Sequence, residues 1–152
     1  PCIAQLNDGK LVMVLRNQLG FVFVSESTDG GRTWGEAKPS ALNAPESCPC
    51  MAKVPNSDAV LVVWNNRKPD HSSLSHGGRR NPLTLAISRD GLKTFTHFYN
   101  LETDFDYAYT NPSILVREDG LFVMNYWTSK YNQEGRLGGD IHLKIATFRV
   151  NI

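Results

Sequence analysis

The sequence predicts an all-β chain of about ten short strands, enough for roughly two and a half to three antiparallel four-stranded sheets. Three observations carry this reading. Runs of β-branched and aromatic residues alternate with Gly, Asp and Asn turn signals along all 152 residues. No stretch longer than about 10 residues repeats its apolar positions at helical spacing. One octapeptide recurs 61 residues further on, each copy directly after a strand-like run.

The elements follow in order. Pro1 to Ala4 reads as extended. After the turn Asn7-Asp8-Gly9, Leu11 to Arg16 forms a strand, and after Leu19-Gly20 so does Phe21 to Ser27, the pattern of arms around short loops. Ala59 to Trp64, Leu83 to Ser88, Pro112 to Val116, Leu121 to Trp127 and Ile141 to Ala146 are further strands, several bounded by Asp-Gly or Gly-Gly turns. The loop from Asn65 to Pro82 is long, polar and glycine-containing, and loops of this kind on a rigid β scaffold carry binding.

Composition narrows the function. Hydrophobic side chains are 41% of the chain and charged ones 20%, which excludes disordered and collagen-like classes. The net charge is +1 and no run of Lys or Arg occurs, so a dedicated nucleic-acid or membrane-surface binder has no electrostatic footprint; a small partner is expected. The apolar run Ala59 to Trp64 falls far short of the ~20 residues of a membrane span. The start at Pro1, without Met and inside a strand-like segment, suggests a processed or truncated edge, and the compartment stays unassigned. Cys2, Cys48 and Cys50 are too few and too unevenly spaced for a disulfide scaffold or a structural zinc site, so free thiols are expected.

The repeated octapeptide is Ser27-Thr28-Asp29-Gly30-Gly31-Arg32-Thr33-Trp34, then Ser88-Arg89-Asp90-Gly91-Leu92-Lys93-Thr94-Phe95. Its chemistry is that of a turn staple. Asp29 and Asp90 accept backbone N–H bonds, Ser27, Ser88, Thr33 and Thr94 add hydroxyl bonds, Gly31 takes a left-handed position, and Trp34 or Phe95 packs the turn onto the sheet. Leu92 stands where the first copy has Gly31, which makes the second copy the weaker match.

This Ser-x-Asp-x-Gly-x-Thr-Trp pattern resembles the Asp-box of sialidases and related β-propeller proteins. The blocks Pro1 to Leu11, Leu15 to Gly20, Asn81 to Gly91 and Ala108-Tyr109-Thr110 fall in the order of the later half of the sialidase-like (BNR/Asp-box) domain. The resemblance covers nearly the whole chain. It implies one partial propeller domain over residues 1–152, about three of the six blades of a ring. The remaining blades are expected from the missing N-terminal half of a longer polypeptide, the favoured reading, or from a second copy.

The resemblance also implies a site. Members of the family hold the substrate carboxylate with three arginines, for which the planar guanidinium fork is suited. The second falls on Arg16 and the third on Arg80, with the adjacent Arg79 as the alternative. The nucleophilic tyrosine falls on Tyr109, just ahead of the strand containing Ile114, with Tyr107 as the alternative. A phenol has a pKa near 10 and needs a base, yet it avoids setting a second full negative charge against an acidic substrate. The activating Glu, the first arginine and the Asp acid/base fall outside this sequence, so the chain alone is expected to be nearly inert.

Other polar residues read more plainly. Glu102, Asp104, Asp106, His71 and His76 are expected as solvated loop residues, and no metal site or cofactor is implied. Asn65, Asn66 and Arg67 are candidates for sugar hydroxyls. Trp127 and Tyr126 are candidates for stacking on a sugar face, although a core role is the commoner one for such aromatics. Three functions follow: the C-terminal half of a retaining exo-glycoside hydrolase acting on an acidic glycan, a noncatalytic carbohydrate-binding or scaffold segment, or a half-propeller that self-assembles. The Asp-box decides none of them, because it speaks for the fold.

Overall fold

The structure is a computed structural model and describes residues 1–68 and 78–151. Eleven strands lie among the described residues: β1 (Cys2–Gln5), β2 (Leu11–Leu15), β3 (Phe21–Ser27), β4 (Lys38–Asn43), β5 (Cys50–Lys53), β6 (Val60–Asn65), β7 (Leu83–Ser88), β8 (Thr96–Glu102), β9 (Tyr107–Val116), β10 (Phe122–Tyr131) and β11 (Leu137–Phe148). They form three antiparallel meanders, β1-β2-β3-β4, β5-β6-β7-β8 and β9-β10-β11. The sheets do not close into a ring. No helix among the described residues is long and apolar enough to cross a membrane.

Two apolar layers hold the sheets together. Val12, Val14, Val22 and Leu42 of the first sheet meet Val60, Val62, Trp64 and Ala86 of the second. Leu61, Val63, Leu83 and Ile87 of the second meet Phe122, Met124 and Tyr126 of the third. The middle sheet is therefore covered on both faces, and all six residues of β6 are buried. This accounts for the unbroken apolar run there, whereas β2 alternates buried and half-buried residues. Each fully buried Val or Leu contributes about 1.5–3 kcal/mol relative to leaving it in water.

The Asp-box turns join β3 to β4 and β7 to β8. In the first, Ser27 Oγ donates to Asp29 Oδ1 at 2.8 Å, and Asp29 accepts the Thr33 N–H at 2.9 Å and hydroxyl at 2.6 Å. Trp34 Nε1 donates to the Gly31 carbonyl at 3.1 Å. In the second, Ser88 donates to Asp90 at 3.0 Å, and Asp90 accepts the Thr94 N–H at 2.9 Å and hydroxyl at 2.6 Å. Phe95 packs against the first apolar layer. The Thr33, Ser27 and backbone bonds hold the Asp29 carboxyl down at about 2.

Two placements differ from the sequence reading. Gly138-Gly139, ahead of the predicted strand Ile141 to Ala146, lies within β11; a Cβ on Gly138 would come 2.6 Å from the Lys130 carbonyl oxygen, so only glycine lets the two strands approach. Tyr109 lies inside β9, not ahead of its strand. β9 also carries one extra residue: Ser113 opposes Asn125 whereas Thr110 opposes Trp127, and Asn111 absorbs the bulge with φ 50°. The bulge reverses the side-chain alternation, so that Tyr109 and Ile114 both reach the core between the second and third sheets. The outer face of the third sheet exposes Leu115, Trp127, Leu143 and Ile145.

Candidate functional site

The loop between β4 and β5 carries Ala44 to Pro49, and Glu46 within it gathers polar side chains from two other connections, β2 to β3 and the segment ahead of β7. Arg16, one residue past β2, places Nη2 at 2.8 Å from Glu46 Oε1. Its Nη1 lies 3.7 Å from Cys48 Sγ. Gln18 Nε2 donates to Glu46 Oε2 at 3.1 Å. Arg80, ahead of β7, donates from Nη2 to the Glu46 backbone carbonyl at 3.5 Å. Arg16 and Arg80 thus meet at one residue, from the first and second sheets.

Their electrostatics differ. Burial opposes the Arg16 charge, but Cys48 and Glu46 outweigh it and hold that guanidinium above the ordinary arginine value. Burial, and then the Arg16 charge, lower the Arg80 guanidinium.

Arg79 goes elsewhere. Its Nη1 donates to the Phe105 carbonyl at 3.2 Å, and its guanidinium carbon lies 4.9 Å from the centre of the Tyr131 ring. Of the two adjacent arginines, Arg80 is the one directed to Glu46.

The Arg80 backbone is held on every side. Its N–H donates to the Tyr131 hydroxyl at 2.7 Å. Its carbonyl accepts Asn65 Nδ2 at 2.9 Å and the Tyr109 N–H at 2.9 Å. Asn65 Nδ2 also donates to the Tyr109 carbonyl at 3.0 Å. Asn81 donates to the Tyr107 carbonyl at 2.7 Å and the Phe105 carbonyl at 3.1 Å, and accepts Arg67 Nη1 at 3.0 Å. Asn65 is 1% exposed and Asn81 0%, so both amides serve the backbone. This corrects the expectation that Asn65 meets sugar hydroxyls.

Tyr109 is tied to this segment through its main chain, while its side chain is 1% exposed. The ring meets Tyr126 edge-on at 6.2 Å, with Lys144 Nζ 5.9 Å away. Its hydroxyl donates to the Asp104 carbonyl at 3.3 Å. Burial, followed by the charges of Glu102 and Asp104, pushes the phenol up to about 12. Tyr107 is half-buried, with Lys130 Nζ 5.9 Å from its ring.

Two other expectations change, those for Tyr126 and Glu102. Tyr126 is 4% exposed and donates to Glu102 at 2.5 Å, so it presents no face to a sugar. Glu102 is no solvated loop residue: it ends β8 and pairs with Lys144 at 2.7 Å. Asp104 caps its own loop, accepting the Asp106 N–H at 2.9 Å. His71 and His76 lie outside the described residues. Cys2, Cys48 and Cys50 are free thiols, and burial raises that of Cys50. Among the described residues no group of three or more His, Cys, Asp or Glu is placed to hold a metal. Glu46 and Tyr131 escaped the sequence reading because neither sits in a repeated motif; a strand-end tyrosine in Lys130-Tyr131-Asn132 was the one available signal.

The geometry can be set beside known proteins. The sequence model of the BNR repeat-like domain matches residues 1–124. No curated protein matches in sequence. Among the solved structures that are similar are two that each match over 97% of this chain with a TM-score of 0.67. One is the leech intramolecular trans-sialidase complexed with 2,7-anhydro-Neu5Ac, prepared by soaking with 3'-sialyllactose, at 18% identity and covering 23% of that chain. The other is the Ruminococcus gnavus intramolecular trans-sialidase in complex with oseltamivir carboxylate, at 22% identity and covering 32% of that chain. This chain therefore spans less than a third of the length of each of those structures, and at these identities the likeness is one of fold.

Proposed function

The chain belongs to the BNR repeat-like domain family, and from that premise we propose that it supplies the carboxylate-holding part of a sialidase-like exo-glycoside hydrolase acting on acidic glycans. The observation that carries the reading is the meeting of Arg16 and Arg80 at Glu46. The Arg16 guanidinium meets the Glu46 carboxylate at 2.8 Å and the Arg80 guanidinium meets the Glu46 backbone carbonyl at 3.5 Å. Two planar guanidinium groups brought to one place suit the carboxylate of an acidic sugar, and the ion pair to Glu46 keeps Arg16 oriented before a ligand arrives.

In this reading Tyr109 is the nucleophile. Its oxygen bonds to the anomeric carbon as the glycosidic C–O bond breaks, and water later hydrolyses the tyrosyl adduct. The phenol must lose its proton to a base, and the leaving oxygen must gain one from an acid. The reading assigns both groups, and the first arginine, to the remaining blades, supplied by a longer polypeptide or a second copy. Attack also requires the Tyr109 hydroxyl to give up its bond to Asp104.

A second reading, a noncatalytic glycan-binding segment, draws on that same burial of the Tyr109 side chain. Both readings require the arginine pair to recognise acid. Isothermal titration of the chain with 3'-sialyllactose and with lactose tests this. Binding of the acidic sugar alone, weakened by salt and lost in Arg80→Ala, supports it; equal binding of lactose, or no binding of either, overturns it.

A further inference from the structure

Arg80 is held through its main chain, and the group that takes its N–H comes from the third sheet. Tyr131 ends β10 and lies 51 residues away in sequence, and its hydroxyl accepts that N–H at 2.7 Å. The tyrosine is itself anchored, because its own N–H donates to the Asp106 carbonyl at 2.8 Å. The turn that follows is closed by Asn132 N–H to the Arg136 carbonyl at 2.8 Å and Gly135 N–H to the Asn132 carbonyl at 2.9 Å. The same ring lies under the Arg79 guanidinium, 4.9 Å from its carbon.

One side chain therefore grips both members of the Arg79-Arg80 pair by different means. It retains Arg79 on its ring face, on the side of Phe105, and it fixes the Arg80 backbone. Arg79 stays on the Tyr131 side while Arg80 reaches Glu46. Asn65 and Tyr109 hold the Arg80 carbonyl at 2.9 Å each, but neither reaches its N–H.

We infer that Tyr131 is a positioning residue for Arg80, and that the third sheet thereby sets where the arginine pair meets an acidic ligand. The ligand part of this inference rests on the proposed function; the positioning part does not. Tyr131 lies beyond residues 1–124, the span that the family model matches.

The test uses the whole chain carrying Tyr131→Phe, which removes the hydroxyl and keeps the ring, and Tyr131→Leu, which removes both. Nuclear magnetic resonance reads hydrogen exchange at the Arg80 amide and the order of its Nε–H, and titration reads 3'-sialyllactose affinity. In Tyr131→Phe we expect amide exchange to rise about tenfold, Nε–H order to fall and affinity to drop about three- to tenfold, with the melting temperature shifted by no more than about 2 °C. Tyr131→Leu should weaken binding further, because Arg79 is also released. Unchanged Arg80 exchange and order in Tyr131→Phe overturn the inference. So does full affinity retained alongside a loosened Arg80. If the unaltered chain binds no sialyllactose, the proposed function falls, and the positioning role is decided by the Arg80 signals alone.

Discussion

Gly31 and Leu92 hold the same place in the two Asp-box turns. Each stands four residues after its serine and gives its N–H to that hydroxyl, at 3.0 and 2.9 Å. Both have left-handed backbones, with φ of 87° and 70°. Glycine adopts this conformation freely, whereas leucine is strained by about 1–2 kcal/mol. The Leu92 side chain compensates by packing into the first apolar layer.

Exchanging the two residue types should therefore destabilise in both directions. Gly31→Ala adds strain and a Cβ only 3.2 Å from Leu11 Cδ1, for a loss of about 1–2 kcal/mol. Leu92→Gly relieves strain but gives up a buried side chain worth about 1.5–3 kcal/mol and leaves a cavity, so a net loss of about 1–3 kcal/mol is expected. Urea denaturation measures both. A stabilised Leu92→Gly would show that the leucine is tolerated and contributes nothing.

Ser88→Ala should cost about 1–3 kcal/mol, because it strands the buried Leu92 N–H and removes one donor from Asp90. The matching Ser27→Ala variant should behave alike if the two turns are equivalent staples. Chemical denaturation that leaves Ser88→Ala as stable as the parent would mean that water replaces the hydroxyl.

The boxes also predict an acid dependence. The Asp29 carboxyl is held at about 2 in the folded chain, and Asp90 is lowered too: burial is its largest influence and acts upward, but the Thr94, Ser88 and Lys93 bonds outweigh it. A depressed folded value means the stabilisation is fully present above the unfolded value of ~3.9 and is lost as pH falls toward ~2. The melting temperature contributed by these turns should be flat from about pH 7 to 5 and fall below about 4. Asp29→Asn and Asp90→Asn should start lower and flatten that fall. Thermal melts of equal slope in parent and variants would contradict it.

Much of the fold was legible in local pattern. Alternation marked β2 and the unbroken apolar run marked β6, since each reports how many faces of its sheet are covered. β8, exposed along most of its length, and β4, beginning Lys38-Pro39, have no such alternation and escaped the reading. The site was half legible. Arg16 and Arg80 stood in blocks resembling a family, but Glu46, Asn65, Asn81 and Tyr131 act on the main chains or charges of distant segments. The bulge at Asn111 decides which way Tyr109 points, and a bulge is set by strand pairing, not by the residues on either side of it.

Arg16 and Arg80 should separate stability from binding. Arg16 pairs with Glu46 at 2.8 Å in a partly shielded setting, so Arg16→Ala should cost about 1–2 kcal/mol and abolish recognition of acidic sugar. Arg80 is disfavoured by its burial and by the Arg16 charge. Arg80→Gln should therefore leave stability unchanged or raise it while binding is lost, the pattern of a residue kept for a ligand. Parallel melts and titrations decide it, and a strongly destabilised Arg80→Gln would mark Arg80 as structural.

Tyr109→Phe separates the two functional readings. The hydroxyl makes one bond to the Asp104 carbonyl, at 3.3 Å, so its removal should cost no more than about 1 kcal/mol and leave the arginine pair untouched. Affinity for 3'-sialyllactose should therefore stay within about twofold of the parent in either reading. Turnover is where they part. In a full ring that supplies the missing acid and base, Tyr109→Phe should lower kcat by at least about a thousandfold if the phenol forms the covalent intermediate, and mass spectrometry of the parent with a slow substrate should find the sugar on Tyr109. Because the phenol is pushed up to about 12, the rate should depend on the base that takes its proton and not on free ionisation of the tyrosine near neutral pH. An unchanged kcat would assign Tyr109 to the core it shares with Tyr126 and take the role of nucleophile away from it, with Tyr107 as the alternative in this chain.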